Sequence, residues 1–123
     1  MDGRWSDFDF FFYHFKRADS AGEDGNFRAK VEALEEFDAL LPSLRDLDPD
    51  VMIVAGDHST PALMASHSWH PVPFMLWSRN GVGDSVDQFN EPSCRHGALG
   101  VFPAKEALSL AMAQAGRLMK FGA

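Results

Sequence analysis

The chain opens on an almost unbroken apolar run. Residues 8–16, Phe-Asp-Phe-Phe-Phe-Tyr-His-Phe-Lys, are nearly all aromatic. A short run of this kind predicts a strand buried on both faces, as in a sheet covered by helices. Residues 17–26 are acidic and rich in turn formers, so a loop is expected at the carboxyl end of that strand. From Phe27 the period changes. Val31, Leu34, Phe37, Leu41 and Leu44 recur at three- and four-residue spacing, the stripe of an amphipathic helix. Asn26 stands where an N-cap belongs. Pro42 lies inside the pattern and is expected to kink the helix or restart it.

Asp48-Pro49-Asp50 predicts a turn, and Val51–Ala55 a second buried strand. That strand stops at Gly56, and the polar cluster Asp57-His58-Ser59-Thr60 follows at once. A loop carrying His67, Trp69 and His70 leads to a third strand over 72–77. Residues 79–100 hold many Gly, Asn, Asp and Ser, with a short helical turn expected near 84–89. Pro103 suits a first helical position, and Leu108, Met112, Ala115 and Met119 align along a last helix over 104–120 that ends at Gly122. The order strand, helix, strand, strand, helix predicts an α/β layer with a largely parallel sheet flanked by helices.

Composition narrows the class. A chain of 123 residues suffices for one domain, and 46% hydrophobic with 24% charged residues is an ordinary globular balance that excludes disorder. The 11 Phe and 3 Trp exceed what a small solvated domain needs. Either the core is rich in rings, or part of this surface is covered by something else. A net charge of −7 argues against a nucleic-acid partner, whose phosphates are gripped by Lys and Arg. It leaves a phosphorylated small substrate open, because bound metal ions reverse the local field. The single cysteine, Cys94, rules out an internal disulfide and fits a reducing compartment. No apolar run approaches the roughly 20 residues of a membrane span, and the acidic, aromatic start does not read as a signal peptide. A cytoplasmic protein without a membrane partner is expected.

In open α/β sheets, ligands bind beyond the carboxyl ends of strands. Two predicted strands end in metal-ligating side chains: Asp19 and Glu23 after the first, Asp57 and His58 after the second, with His67 in the following loop. Carboxylate oxygen and imidazole nitrogen together suit divalent zinc or manganese. A two-metal centre needs such residues to converge from different loops. Each also has a plainer reading. An Asp-His pair after a strand is often a capped turn, and Asp24 in a Glu-Asp-Gly-Asn sequence bonds its own backbone. His14 reads as a satisfied core histidine, and His70 and His96 as loop surface. Lys16 is either a candidate contact to a phosphate oxygen or a solvated flank. Ser59 and Thr60 read as caps.

The runs Val-Ala-Gly-Asp-His-Ser-Thr-Pro at 54–61 and Ala-Ser-His-Ser-Trp-His-Pro-Val-Pro at 65–73 resemble the archaeal-type, 2,3-bisphosphoglycerate-independent phosphoglycerate mutases of the alkaline phosphatase superfamily. The segment at 16–27, the stretch from Cys94 to Gly100 and the ending at 115–123 are similar to the same family, so the likeness covers essentially the whole chain. The resemblance implies a partial alkaline-phosphatase-like three-layer sandwich, with residues 1–123 as the C-terminal part of the metalloenzyme core. It implies two divalent metal ions, manganese first, with magnesium or zinc as alternatives. Asp57 and His58 would hold one ion and Asp19 and His67 the other. Glu23 stands where related mutases usually have a histidine ligand, a harder donor that favours manganese or magnesium over zinc.

The implied reaction interconverts 3-phosphoglycerate and 2-phosphoglycerate through a phosphoserine enzyme, a step of glycolysis and gluconeogenesis. Family members are several times longer. Their nucleophilic Ser, a further metal-binding Asp and most of a substrate-binding domain precede the segment matched here, so the fragment alone is expected to be inactive. Exposed aromatics and an unpaired sheet edge would favour self-association. Two alternatives stand beside this reading. One is another activity of the superfamily, such as a phosphatase, phosphopentomutase or sulfatase. The other is a non-catalytic metal-binding or interaction module that kept the fold core.

Overall fold

A computed structural model of the chain describes residues 3–119. They fall into two units. The first comprises the described residues up to Asp48 together with Thr60–Ser68; the second comprises Pro49–Ser59 and the described residues from Trp69 on.

The first unit starts with a 3-10 turn at Trp5–Asp7. The aromatic segment that follows is irregular and not the expected strand, because no described neighbour pairs with it. It lacks the two-sided burial as well. Tyr13 and Phe15 lie against the Phe37 ring, with centroids 6.4 and 5.4 Å apart, and Trp5 stacks on Phe11 at 4.4 Å. Phe10 and Phe12, by contrast, are 65% and 81% exposed. His14, expected in a core, is exposed beside the Phe12 ring.

The expected loop at 17–26 is largely helix. α1 spans Arg17–Glu23, and the turn is confined to Asp24, Gly25 and Asn26. Gly25 adopts a left-handed φ of 67°. The Gly25 N–H donates to the Gly22 carbonyl and the Asn26 N–H to the Ala21 carbonyl, both at 3.0 Å. This is the double closure that favours glycine just past a helix end. Asn26 then caps α2, Phe27–Arg45, as expected: its side chain accepts from the Ala29 N–H at 3.0 Å. Removing that acceptor in Asn26→Ala is expected to cost about 1 kcal/mol. An unshifted urea midpoint would show that the cap contributes nothing. Pro42 neither ends nor restarts α2. It sits near the C-terminal end of α2, where the bond it removes disturbs only the last turn.

The second unit holds the sheet. β1, Val51–Ala55, pairs with β2, Phe74–Ser78, in antiparallel register, Val51 opposite Ser78 and Ala55 opposite Phe74. The largely parallel sheet is therefore not what these residues form. The physical reason lies in the connection: a parallel pair needs a long crossover, usually a helix, and residues 56–73 contain none.

The helix expected near 84–89 is absent. The Asp84 carboxylate instead accepts from the Val86 N–H at 2.9 Å and the Ala98 N–H at 2.8 Å. These bonds, the one from Ala98 foremost, hold its carboxyl below the usual range. They offer the backbone an alternative to a helical turn. α3, Glu91–Cys94, forms slightly later, capped by the Asn90 side chain accepting from the Ser93 N–H at 2.9 Å.

A 3-10 turn at Ala104–Glu106 leads into α4, Ala107–Gln114, which is shorter than expected. Gly116, with φ 68°, ends it: the Arg117 N–H reaches the Met112 carbonyl at 2.8 Å and the Gly116 N–H the Ala113 carbonyl at 3.1 Å. Gly122 lies outside the described residues. Phe74 meets Phe102 edge to face at 5.0 Å.

The buried apolar residues are small, namely Ala21, Ala33 and Ala62, and no large side chain is fully buried among the described residues. Among the described residues, no aromatic ring is thus buried in a core. No described helix is long and apolar enough to cross a membrane.

Candidate metal centre

α1 carries Asp19 and Glu23 four residues apart, a spacing that puts both carboxylates on one helix face. The loop 60–68 of the same unit brings His67 to that face. It can approach because α1 is small where the two meet. Ala21 and Ala62 are buried, and a Cβ on Gly22 would stand only 2.3 Å from the Thr60 carbonyl oxygen. His67 Nε2 lies 3.2 Å from Glu23 Oε1 and 3.9 Å from Asp19 Oδ1.

The Asp19 carboxylate is held on both oxygens. Oδ1 accepts from the Thr60 hydroxyl at 2.5 Å, and Oδ2 pairs with the Lys16 ammonium. Lys16, considered as a phosphate contact, is thus an ion-pair partner of Asp19. Thr60 is only 4% exposed, and its carbonyl accepts from Lys30 Nζ at 2.5 Å.

In the second unit, Asp57 and His58 follow β1 after Gly56, which packs against Val72 at 3.3 Å from its would-be Cβ. The His58 N–H donates to Asp57 Oδ1 at 3.0 Å, and His58 Nε2 lies 3.5 Å from Asp57 Oδ2. Ser59 donates from its hydroxyl to the His70 carbonyl at 3.1 Å, so it ties down the loop rather than capping a helix. The His70 ring stacks on Trp69.

Both constellations fit divalent cations. Two carboxylates and an imidazole in the first unit, and one of each in the second, supply oxygen and nitrogen donors without thiolate. An oriented ligand is the other requirement, and the hydroxyl on Asp19 meets it. Thr60 and Lys30 carried no signal as site residues. Thr60 was one polar residue among four, and Lys30 one of several cations on α2.

The family model described as Metalloenzyme superfamily matches residues 4–114. A protein from Thermotoga petrophila, described as a probable 2,3-bisphosphoglycerate-independent phosphoglycerate mutase, is 50% identical over 120 residues, 98% of this chain and 30% of its own length. A Thermosipho africanus protein of the same description is 51% identical over 119 residues, 97% of this chain and 30% of its own. The solved structure of the PH0037 protein from Pyrococcus horikoshii superposes with a TM-score of 0.90 at 33% identity, over 96% of this chain and 37% of that one. The chain thus spans about 30% of the length of the curated relatives it matches. With carboxylate and imidazole donors gathered in each unit, and a match running over nearly its whole length, this chain belongs to the metalloenzyme superfamily.

Proposed function

We propose that the chain is the C-terminal part of the core domain of a cofactor-independent phosphoglycerate mutase, a protein that interconverts 3-phosphoglycerate and 2-phosphoglycerate through a phosphoserine enzyme. The observation that carries this reading is the identity of about half the residues, over essentially the whole chain, to proteins of that description. In the longer protein the aromatic segment 8–16 joins the sheet of a three-layer sandwich, where its exposed rings are covered.

Asp19 and His67, with Glu23 beside them, hold one divalent cation, and Asp57 and His58 hold the other. Manganese suits the carboxylate-rich set of the first unit best, since harder cations prefer oxygen. When bound, such a pair of cations stabilises charge on the attacking and leaving oxygens of a phosphoryl transfer. The chain's own part is to keep the ligands fixed. Thr60 and Lys16 hold Asp19, and the backbone bond to Asp57 keeps that carboxylate close to His58. The nucleophile belongs to the remainder of the longer protein, so the chain alone should show no turnover.

The test is a segment exchange. The matched segment of the Thermotoga petrophila relative is replaced by this chain, and interconversion of the two phosphoglycerates is measured. Conversion by the chimera, lost on His67→Ala, is the expected result. A folded but inactive chimera of an active parent would overturn the proposal. So would robust conversion by the 123-residue chain on its own.

A further inference from the structure

We infer that Thr60 is the positioning residue for the Asp19 carboxylate, and that Lys30 locks Thr60 in place from α2. The inference rests on the reading of Asp19 as a metal ligand.

Three observations converge on this one residue. Thr60 is the buried polar residue among the described residues, at 4% exposure, and its hydroxyl is within 2.5 Å of Asp19 Oδ1. A buried hydroxyl that donates to a carboxylate is a charge-assisted contact, shorter and stronger than a neutral one. Its carbonyl in turn accepts from Lys30 Nζ at 2.5 Å, an ammonium anchored one helix away. The same carbonyl lies where a Cβ of residue 22 would be, 2.3 Å from that ideal position. Thr60 is therefore fixed by both of its polar groups and by the backbone of α1, with no room to slide along the helix.

The consequence for Asp19 is directional. A free aspartate spreads over several rotamers and presents either oxygen. With Oδ1 engaged by Thr60, the plane of the carboxylate is set, and so is the edge that faces His67 Nε2, 3.9 Å from Oδ1. Groups that orient a ligand in this way typically change metal affinity about 10–100-fold when removed. Lys30 contributes at one remove, because losing its bond frees the Thr60 carbonyl rather than Asp19 itself. Its substitution should act in the same direction and more weakly.

The experiment is a Mn2+ titration by calorimetry on the full 123-residue chain. Asp19→Ala defines the binding equivalent that belongs to this centre. Thr60→Val removes the hydroxyl at nearly constant shape and is expected to weaken that equivalent about 10–100-fold. Thr60→Ser restores the donor and should recover most of the affinity, which a purely packing role for Thr60 would not predict. Lys30→Met keeps the aliphatic stem and loses the ammonium; a smaller weakening is expected, and this variant carries the test if Thr60→Val does not fold. Loss of the equivalent in Asp19→Ala with unchanged affinity in Thr60→Val, or in a folded Lys30→Met where Thr60→Val does not fold, overturns the clamp alone. No Mn2+ binding by the unsubstituted chain, or binding that Asp19→Ala leaves untouched, overturns the ligand reading and the clamp with it.

Discussion

Gly22→Ala should destabilise the first unit and unseat His67, although alanine is the better helix former. The intrinsic preference favours Ala over Gly by about 1 kcal/mol in a helix interior. Against it stands a steric conflict. The new Cβ would lie 2.3 Å from the Thr60 carbonyl oxygen, 3.0 Å from Thr60 Cγ2 and 3.1 Å from Lys30 Nζ. The lysine tip can swing aside, but the carbonyl belongs to backbone that is fixed on α1. Overpacking of this sort typically costs about 1–3 kcal/mol, occasionally more. The steric term therefore wins. The loop 60–68 has to lift, and His67 moves with it. A lowered urea midpoint together with weakened Mn2+ binding is the expected pair of results. A stabilised variant with intact binding would mean that the loop does not sit on α1 as described.

The second large effect concerns the ligands. Asp19→Ala and His67→Ala should each abolish Mn2+ binding at the first-unit centre, and Asp57→Ala and His58→Ala should do so at the second. Losing a direct donor is expected to exceed the roughly 10–100-fold typical of a supporting contact. Calorimetry should therefore show lost or strongly weakened Mn2+ binding in each variant. If all four variants titrate like the parent chain, neither unit binds metal through these residues.

Some of this was readable from the residues alone. α2 follows from the stripe Val31, Leu34, Phe37, Leu41, Leu44, and its start from Asn26, because both signals are local. β1 follows from five apolar residues between turn formers. The direction of the sheet ran against the expected parallel arrangement, although the lack of any helical period between 56 and 73 disfavours a parallel crossover. The failures have physical causes too. The run at 8–16 announces a need for burial, but a strand requires a partner, and pairing is not a property of one segment. Turn formers at 17–26 masked the alanines of α1. The stop at Gly116 carried no distinct signal, and its left-handed φ emerges only in the structure.

The site divides along the same line. Asp19, Glu23, Asp57, His58 and His67 stood out as candidate ligands by residue type and by family resemblance. That Asp19 and Glu23 share a face emerged only with α1. Thr60 and Lys30 needed the docked loop, since their partners lie 41 and 30 positions away.

The interleaving of the first unit bears on how the chain folds. α1 and α2 are joined by three residues and meet through local contacts, which form quickly. The contacts that complete the centre join residues 41 and 44 positions apart, Thr60 to Asp19 and His67 to Glu23. Closing such a loop is entropically unfavourable and comes late. On a growing chain, the helical pair can exist before the strand β1 and the loop beyond it have emerged. On the proposed reading of Asp19 as a ligand, cation affinity there would arrive as a final event of folding, and its appearance would report that the loop has found its seat.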